Sequence, residues 1–160
     1  MTDARWVGPD ERVDVPLTLN GRDATLLASP RWTLADAVRA HGLTGTHLGC
    51  EDGVCGACTV LLDGDPVRAC LVLALQARAR RVQTVEGLGT PGALHPAQQA
   101  LRDGRALQCG FCTPGFAVLG AWLREHESDA DAMRIREVLS SNLCRCTGYR
   151  SILAAFPPAW

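Results

Sequence analysis

Ten residues, from Gly49 to Cys58, read G-C-E-D-G-V-C-G-A-C and constrain this chain more than any other stretch. Cys50, Cys55 and Cys58 follow a C-x4-C-x2-C spacing, with a further cysteine at Cys70. This is the spacing by which four thiolates hold a plant-type [2Fe–2S] cluster. Such a cluster is an anion that becomes more negative on reduction, and a buried anion requires donors turned toward it. Gly49, Gly53 and Gly56 are expected to let the backbone wrap the cluster with its N–H groups inward, through the positive φ that glycine adopts cheaply. Glu51 and Asp52 are expected to face solvent or a partner, because an unpaired carboxylate beside the cluster would lower its potential.

Eight cysteines in 160 residues require an explanation. In a secreted chain an even count suggests disulfides. The start, M-T-D-A-R-W-V-G-P-D-E-R, carries no apolar h-region, so a cytoplasmic, reducing location and metal binding are expected. Export alongside a signal-bearing partner stays open. No run of about 18 apolar residues is present, so no membrane insertion is expected. The net charge is −1, which gives no basic footprint for nucleic acid. All sixteen basic residues are arginine, which reads as genome composition.

Along the chain, V-D-V-P-L-T-L-N alternates into Asn20-Gly21, a strong hairpin signal, with a return strand over Arg22 to Leu27. Pro16 implies an edge strand or an irregularity. Thr33 and Asp36 resemble a capped helix start, with Leu34, Ala37, Val38 and His41 on one face up to Gly42. After the cysteine loop, Cys58 to Leu62 reads as a strand and Asp63-Gly64 as a tight turn. Val67 to Val72 reads as a return strand carrying Cys70, and Arg81 to Val85 as a short strand. Hairpin, helix, loop, hairpin is a β-grasp arrangement over residues 12–85. Three glycines and two prolines between Glu86 and Pro96 read as a linker, over residues 86–95.

From residue 96 to 160 the pattern is helical. Pro96 opens one helix and Thr113-Pro114, as N-cap and first position, another; Asp129 or Asp131 opens a third, and Gly148 leads to a fourth stopped by Pro157-Pro158. The other four cysteines sit at the junctions of these helices: Cys109 and Cys112 before the second, Cys144 and Cys146 before the last. Residues at i and i+3 share one face of a turn, and residues at i and i+2 share one face of an extended segment. The 31 residues between the pairs suffice for an antiparallel helix pair to bring them together. A helix N-terminus beside them would favour an anionic cluster. Zinc also suits four thiolates, although a single residue between Cys144 and Cys146 is uncommon for structural zinc.

Three segments carry a family resemblance: G-C-E-D-G-V-C-G-A-C-T-V at 49–60, Q-C-G-F-C-T-P-G-F at 108–116 and S-N-L-C-R-C-T-G-Y at 141–149. They resemble the iron–sulfur small subunit of the molybdenum hydroxylases, the family of xanthine dehydrogenase, aldehyde oxidoreductase and aerobic carbon monoxide dehydrogenase. The resemblance runs from about Val13 to Phe156 and matches at every ligand position. It implies an α+β chain: an N-terminal β-grasp ferredoxin domain followed by an all-α four-helix domain. Each would hold one [2Fe–2S] cluster, on Cys50, Cys55, Cys58 and Cys70 and on Cys109, Cys112, Cys144 and Cys146. It also implies that Gln108 and Cys146 contact the molybdopterin of a large catalytic subunit. Electrons would pass from molybdenum through both clusters to FAD, in a medium subunit, or to another acceptor. Substrate chemistry would lie on the large subunit, and no catalytic residue is assigned here. The alternative is an autonomous two-cluster ferredoxin acting as a soluble carrier, which would have no use for Gln108.

Other residues take plainer readings. His41, His47, His95 and His126 could suggest a Rieske-type centre, but each site already has four cysteines, so surface or capping roles are expected. Trp32 and Trp122 fall on apolar helical faces and are expected in the core. Arg145 either adds positive charge near the second cluster, meets a partner or is simply exposed, and Tyr149 is expected to pack round the same site.

Overall fold

The computed structural model describes residues 6–158 and Trp160, which form five strands and five α-helices. Strands β1 (Val13–Leu19) and β2 (Arg22–Ala28) pair antiparallel across Asn20-Gly21. Both turn residues have positive φ, 51° and 76°, the requirement of a two-residue hairpin turn that matches strand twist. Helix α1 (Leu34–Ala40) follows, and β3 (Thr59–Leu62) and β4 (Asp65–Arg68) form a second hairpin over Asp63-Gly64. Strand β5 (Arg81–Gln83) enters between the hairpins, parallel to β1 and antiparallel to β3. The sheet order is β2-β1-β5-β3-β4, the β-grasp arrangement expected.

Alternation places Val15, Leu17 and Leu19 of β1 inward, where Leu26, Val60 and Val82 meet Leu34 and Val38 of α1 in the first core. The α1 start is a complete capping box: Thr33 accepts from the Asp36 N–H at 3.1 Å and Asp36 accepts from the Thr33 N–H at 2.9 Å. Such a cap stabilises a short helix by about 1 kcal/mol.

The second half holds α2 (Pro96–Asp103), α3 (Thr113–His126), α4 (Ala132–Leu139) and α5 (Arg150–Ala155). Phe116, Leu119, Leu123, Leu101, Ile135, Leu139, Ile152 and Phe156 form a separate core. The two domains are not independent beads. All four residues of β3 are buried, because α3 lies against the face of β3 turned away from the first core. The start of the Gly/Pro-rich stretch ties into both sides. Thr84 N–H donates to Asn20 Oδ1 at 2.8 Å, Gly45 N–H donates to Glu86 Oε1 at 2.8 Å, and Val85 and Leu88 pack on the helical core.

The structure corrects several local expectations. β1 is an interior strand, not an edge. It accommodates Pro16 because β5 pairs only with Thr18 and Leu19, so the proline lies past the end of that neighbour; its carbonyl accepts from Ala79 N–H at 2.8 Å. Cys70 is not on a strand: β4 ends at Arg68 and the chain tightens into a 3-10 turn over Ala69–Leu71, which turns the thiol inward. The N-cap of α3 is Cys112, one residue before Thr113, so Pro114 sits inside the first turn, where a missing N–H costs nothing. Asp131, not Asp129, caps α4, accepting from Arg134 N–H at 2.8 Å.

His95 is the N-cap of α2. Its Nδ1 accepts the Ala97 N–H at 3.1 Å, which requires a neutral ring. Burial holds its pKa below the usual histidine value; Glu125, with Oε1 3.8 Å from Nε2, pulls it up, and Arg124 pushes it further down. A folded pKa below the unfolded value of about 6.5 contributes stability that is complete above about pH 6.5 and lost as pH falls through the folded value. His95→Asn keeps a capping acceptor and removes the titration. Thermal melts at pH 7.5 and pH 5 are expected to show a smaller acid-induced drop for this variant than for the parent. Equal drops would assign the acid sensitivity elsewhere.

Candidate iron–sulfur centres

The first four thiols gather under residues 41–58, a connection without helix or strand that joins α1 to β3. Cys58 and Cys70 are buried in the first core and lie beside each other; Cys50 lies beside Cys55. The Cys50 sulfur accepts backbone N–H groups from Cys55 at 3.3 Å and Asp52 at 3.4 Å. Those donors, Cys55 N–H first, lower its pKa to about 7. Cys70 shows the opposite sign: burial, and the Cys58 thiol beside it, push it up to about 11. The site therefore supplies donors at one end and a dry wall at the other, and the Cys70 thiol requires a cation in order to ionise at neutral pH.

Gly53 and Gly56 both have φ of +75°, as the sequence suggests. Gly49 differs: it is small for space, since a Cβ there would lie 3.0 Å from the Phe111 ring and 3.3 Å from the Cys55 sulfur. Glu51 and Asp52 are exposed.

In the helical half, Cys109 pairs with Cys146, sulfur to sulfur at 3.6 Å, and Cys112 pairs with Cys144. Burial, with Cys144 alongside, pushes Cys112 up to about 12. Burial opposes ionisation of Cys144 too, yet the hydroxyl and N–H of Thr147 and the N–H of Cys146 carry it below its usual value. The neighbouring Cys109 thiol raises Cys146. Tyr149 sits at φ +66° and its hydroxyl accepts the Cys144 N–H at 3.0 Å, so it orients a candidate ligand rather than merely packing. Among the described residues, no three His, Cys, Asp or Glu side chains converge on one ion position. The thiols meet two by two. A two-iron cluster takes two thiolates at each iron, whereas a structural zinc takes four at one point.

Gln108, Cys109, Arg145 and Cys146 are exposed together, and Gln108 Nε2 donates to the Cys146 carbonyl at 3.1 Å. Leu107, Phe111 and Leu143, adjacent to these residues in the chain or close to them in sequence, are exposed apolar side chains. The histidines stay outside both thiol sets. His47 stacks on Phe111 at 4.8 Å with Nδ1 2.7 Å from its carbonyl oxygen, and His126 stacks on Trp122 at 5.5 Å. Trp32 and Trp122 are half-buried against the first and second cores, and Arg12 lies over the Trp32 ring.

The two thiol sets are joined directly. Leu143, next to Cys144, donates its N–H to the carbonyl of Cys55 at 2.8 Å. Asn142 is fully buried beside that bond, wedged between Gly56 and Gly115. Arg68 reaches from the end of β4 to Gly53, Thr59 and Ser141. Spacing arguments built on cysteine alone missed Arg68, Asn142 and Thr59. The available signal was proximity: each lies within five residues of a cysteine in the chain.

Comparison with known proteins agrees with this geometry. Residues 17–84 match a 2Fe–2S iron–sulfur cluster binding domain, and residues 84–157 a [2Fe–2S] binding domain. The chain is 49% identical over 148 residues to the nicotine 6-hydroxylase small subunit of Paenarthrobacter nicotinovorans, covering 92% of this chain and 89% of that one. It is 47% identical over 148 residues to the caffeine dehydrogenase subunit gamma of Pseudomonas sp. (strain CBB1), covering 88% and 87%. The structure of quinoline 2-oxidoreductase from Pseudomonas putida 86 superimposes with a TM-score of 0.88 at 44% identity, over 92% of this chain and 91% of that one. A paired-thiol ferredoxin domain fused to a paired-thiol helical domain, matched by these proteins over 88–92% of the chain, makes the chain a [2Fe–2S] electron-transfer subunit of the molybdenum hydroxylase family.

Proposed function

We propose that Cys50, Cys55, Cys58 and Cys70 hold a plant-type [2Fe–2S] cluster in a domain of residues 12–85. Cys109, Cys112, Cys144 and Cys146 hold a second in residues 96–160, and residues 86–95 join the two domains. The observation that carries this reading is the gathering of eight thiols into two sites linked by the Leu143 N–H to Cys55 carbonyl hydrogen bond. When bound, each cluster supplies a one-electron carrier. The protein's part is to supply thiolates, N–H donors at Cys50 and Cys144, low-dielectric walls at Cys70 and Cys112, and a bonded connection between the two ligand sets.

Gln108 and Cys146, joined at 3.1 Å on an exposed face, present the second site to the molybdopterin of a large partner subunit. A medium subunit carrying FAD accepts electrons from the ferredoxin side. The relatives are named for nicotine and caffeine, and the superimposed structure for quinoline. All three are nitrogen heteroaromatics, which supports that class as the substrate of the complex. No helix among the described residues is long and apolar enough to cross a membrane.

The complex, purified anaerobically through a tag on this chain, is expected to carry about four irons per copy of it. Reduction with dithionite is expected to give two distinguishable EPR signals, with molybdenum in the same fraction and turnover of a nitrogen heteroaromatic. A single signal with zinc in the second set of cysteines would overturn the two-cluster assignment. Full iron without molybdenum would return the chain to the role of a free carrier.

A further inference from the structure

We propose that Arg68 couples the two cluster sites, its guanidinium bridging the Gly53 turn of one thiol loop to the Ser141 carbonyl ahead of the other and placing positive charge between them. The proposal rests on the two-cluster reading above. Arg68 is the last residue of β4, two positions before Cys70. Its Nε donates to the Gly53 carbonyl at 3.3 Å, inside the loop between Cys50 and Cys55. One Nη donates to Thr59 Oγ1, whose own hydroxyl proton goes to the Gly56 carbonyl at 2.6 Å. The other Nη donates to the Ser141 carbonyl, across the domain boundary and three residues before Cys144. A single planar fork thus holds the loop after Cys50, the strand after Cys58 and the junction before Cys144. Only arginine has five donors in that fixed geometry.

The charge has a separate consequence. These three partners are two carbonyls and a hydroxyl, none of them anionic, and the side chain is half-buried. Both sites become more negative on reduction. A cation in a screened-off junction therefore stabilises the reduced state of whichever cluster it is nearer. Two of its three partners, Gly53 and Thr59, lie in the segment that carries Cys50, Cys55 and Cys58, and only Ser141 lies on the other side, so Arg68 raises the plant-type potential more than the other and sets part of the driving force between the two.

The test uses the assembled complex carrying Arg68→Met or Arg68→Lys, followed by EPR-monitored redox titration. In Arg68→Met the ratio of reduced to oxidised plant-type cluster at a fixed potential is expected to fall about tenfold, equivalent to about 59 mV for a one-electron couple. The helical-domain signal is expected to move less, and the magnetic interaction between the two reduced clusters to change as the clamp opens. Arg68→Lys keeps the charge but not the fork, so its midpoint stays near the parent's while the interaction still changes. Unchanged midpoints and unchanged interaction in Arg68→Met, at full iron content, would overturn the proposal. If Arg68→Met does not retain its iron, Arg68→Lys decides: a plant-type midpoint that drops by about 59 mV despite the retained charge overturns it. Failure of the underlying reading is distinguishable, because the parent complex would then lack the second signal.

Discussion

Cys58→Ser is expected to take the iron content from about four per chain to about two and to release residues 41–58 from the protein surface. The stretch has no helix or strand to hold it, and loops of that length are ordered by function or not at all. Cys58 and Cys70 are its anchor: both are buried in the first core and face each other. Serine there offers iron a poor ligand and leaves a hydroxyl in an apolar setting, at a cost of about 1–3 kcal/mol before any loss of metal. Loss of the cluster then removes the energy that ordered the loop.

The damage is expected to cross the domain boundary. The Cys55 carbonyl holds Leu143 and His47 holds the Phe111 carbonyl, so an opened loop lets go of the helical domain as well. Cys109→Ser makes the contrast. Cys109 is exposed at the rim of its site, and its loss is expected to remove the second cluster while residues 41–58 stay protected. Limited proteolysis read by mass spectrometry, beside an iron assay, separates the two variants. Early cleavage within residues 41–58 in both, or in neither, would refute the argument that the plant-type cluster alone orders that loop.

Much of this was legible in the sequence, for a physical reason. Ligand chemistry restricts spacing, so the eight cysteines declared two sites before any coordinates. Alternation in V-D-V-P-L-T-L, Asn20-Gly21 and Asp63-Gly64 declared the hairpins, because only certain residues adopt positive φ in tandem. What stayed hidden depends on the meeting of distant segments. Pro16 reads as an edge residue until the shortness of β5 is known. Cys70 reads as part of a strand because Val67 to Val72 is apolar apart from Arg68, and nothing local announces the turn that replaces it. The Gly/Pro-rich stretch after residue 85 announces a boundary but not the bonds from Thr84 and Glu86 back to Asn20 and Gly45. Arg68, Asn142 and Thr59 are ordinary residues whose role exists only where the two domains touch. Gly49 was rightly singled out, for a reason that turned out to be space and not backbone angle.

That interface also makes the second large effect. Gly56→Ala is expected to destabilise the junction by about 3 kcal/mol, the combination of a strained backbone and an overfilled contact. At φ +75° an L-residue is already unfavourable. Its Cβ would further fall 1.8 Å from Asn142 Oδ1 and 3.0 Å from Asn142 Cα, a buried side chain with no room to retreat. Gly115→Ala presses on the same point from the other side, 2.4 Å from the Gly56 carbonyl and 2.5 Å from Asn142 Nδ2, but at a φ that any L-residue adopts without strain. It is therefore expected to cost less. Asn142→Ala alone removes the wedge, and in combination with Gly56→Ala it gives the new methyl most of the space it lacks. The double variant is expected to be more stable than the sum of the single losses by about 1 kcal/mol or more, a coupling that distant, independent sites do not show. The strain at φ +75° persists in it, so recovery is partial. Denaturant melts of the four proteins, followed by the visible absorption of the clusters, measure the cycle. Strict additivity would mean that Gly56 and Asn142 do not share the contact, and that this wedge is not part of what holds the two domains together.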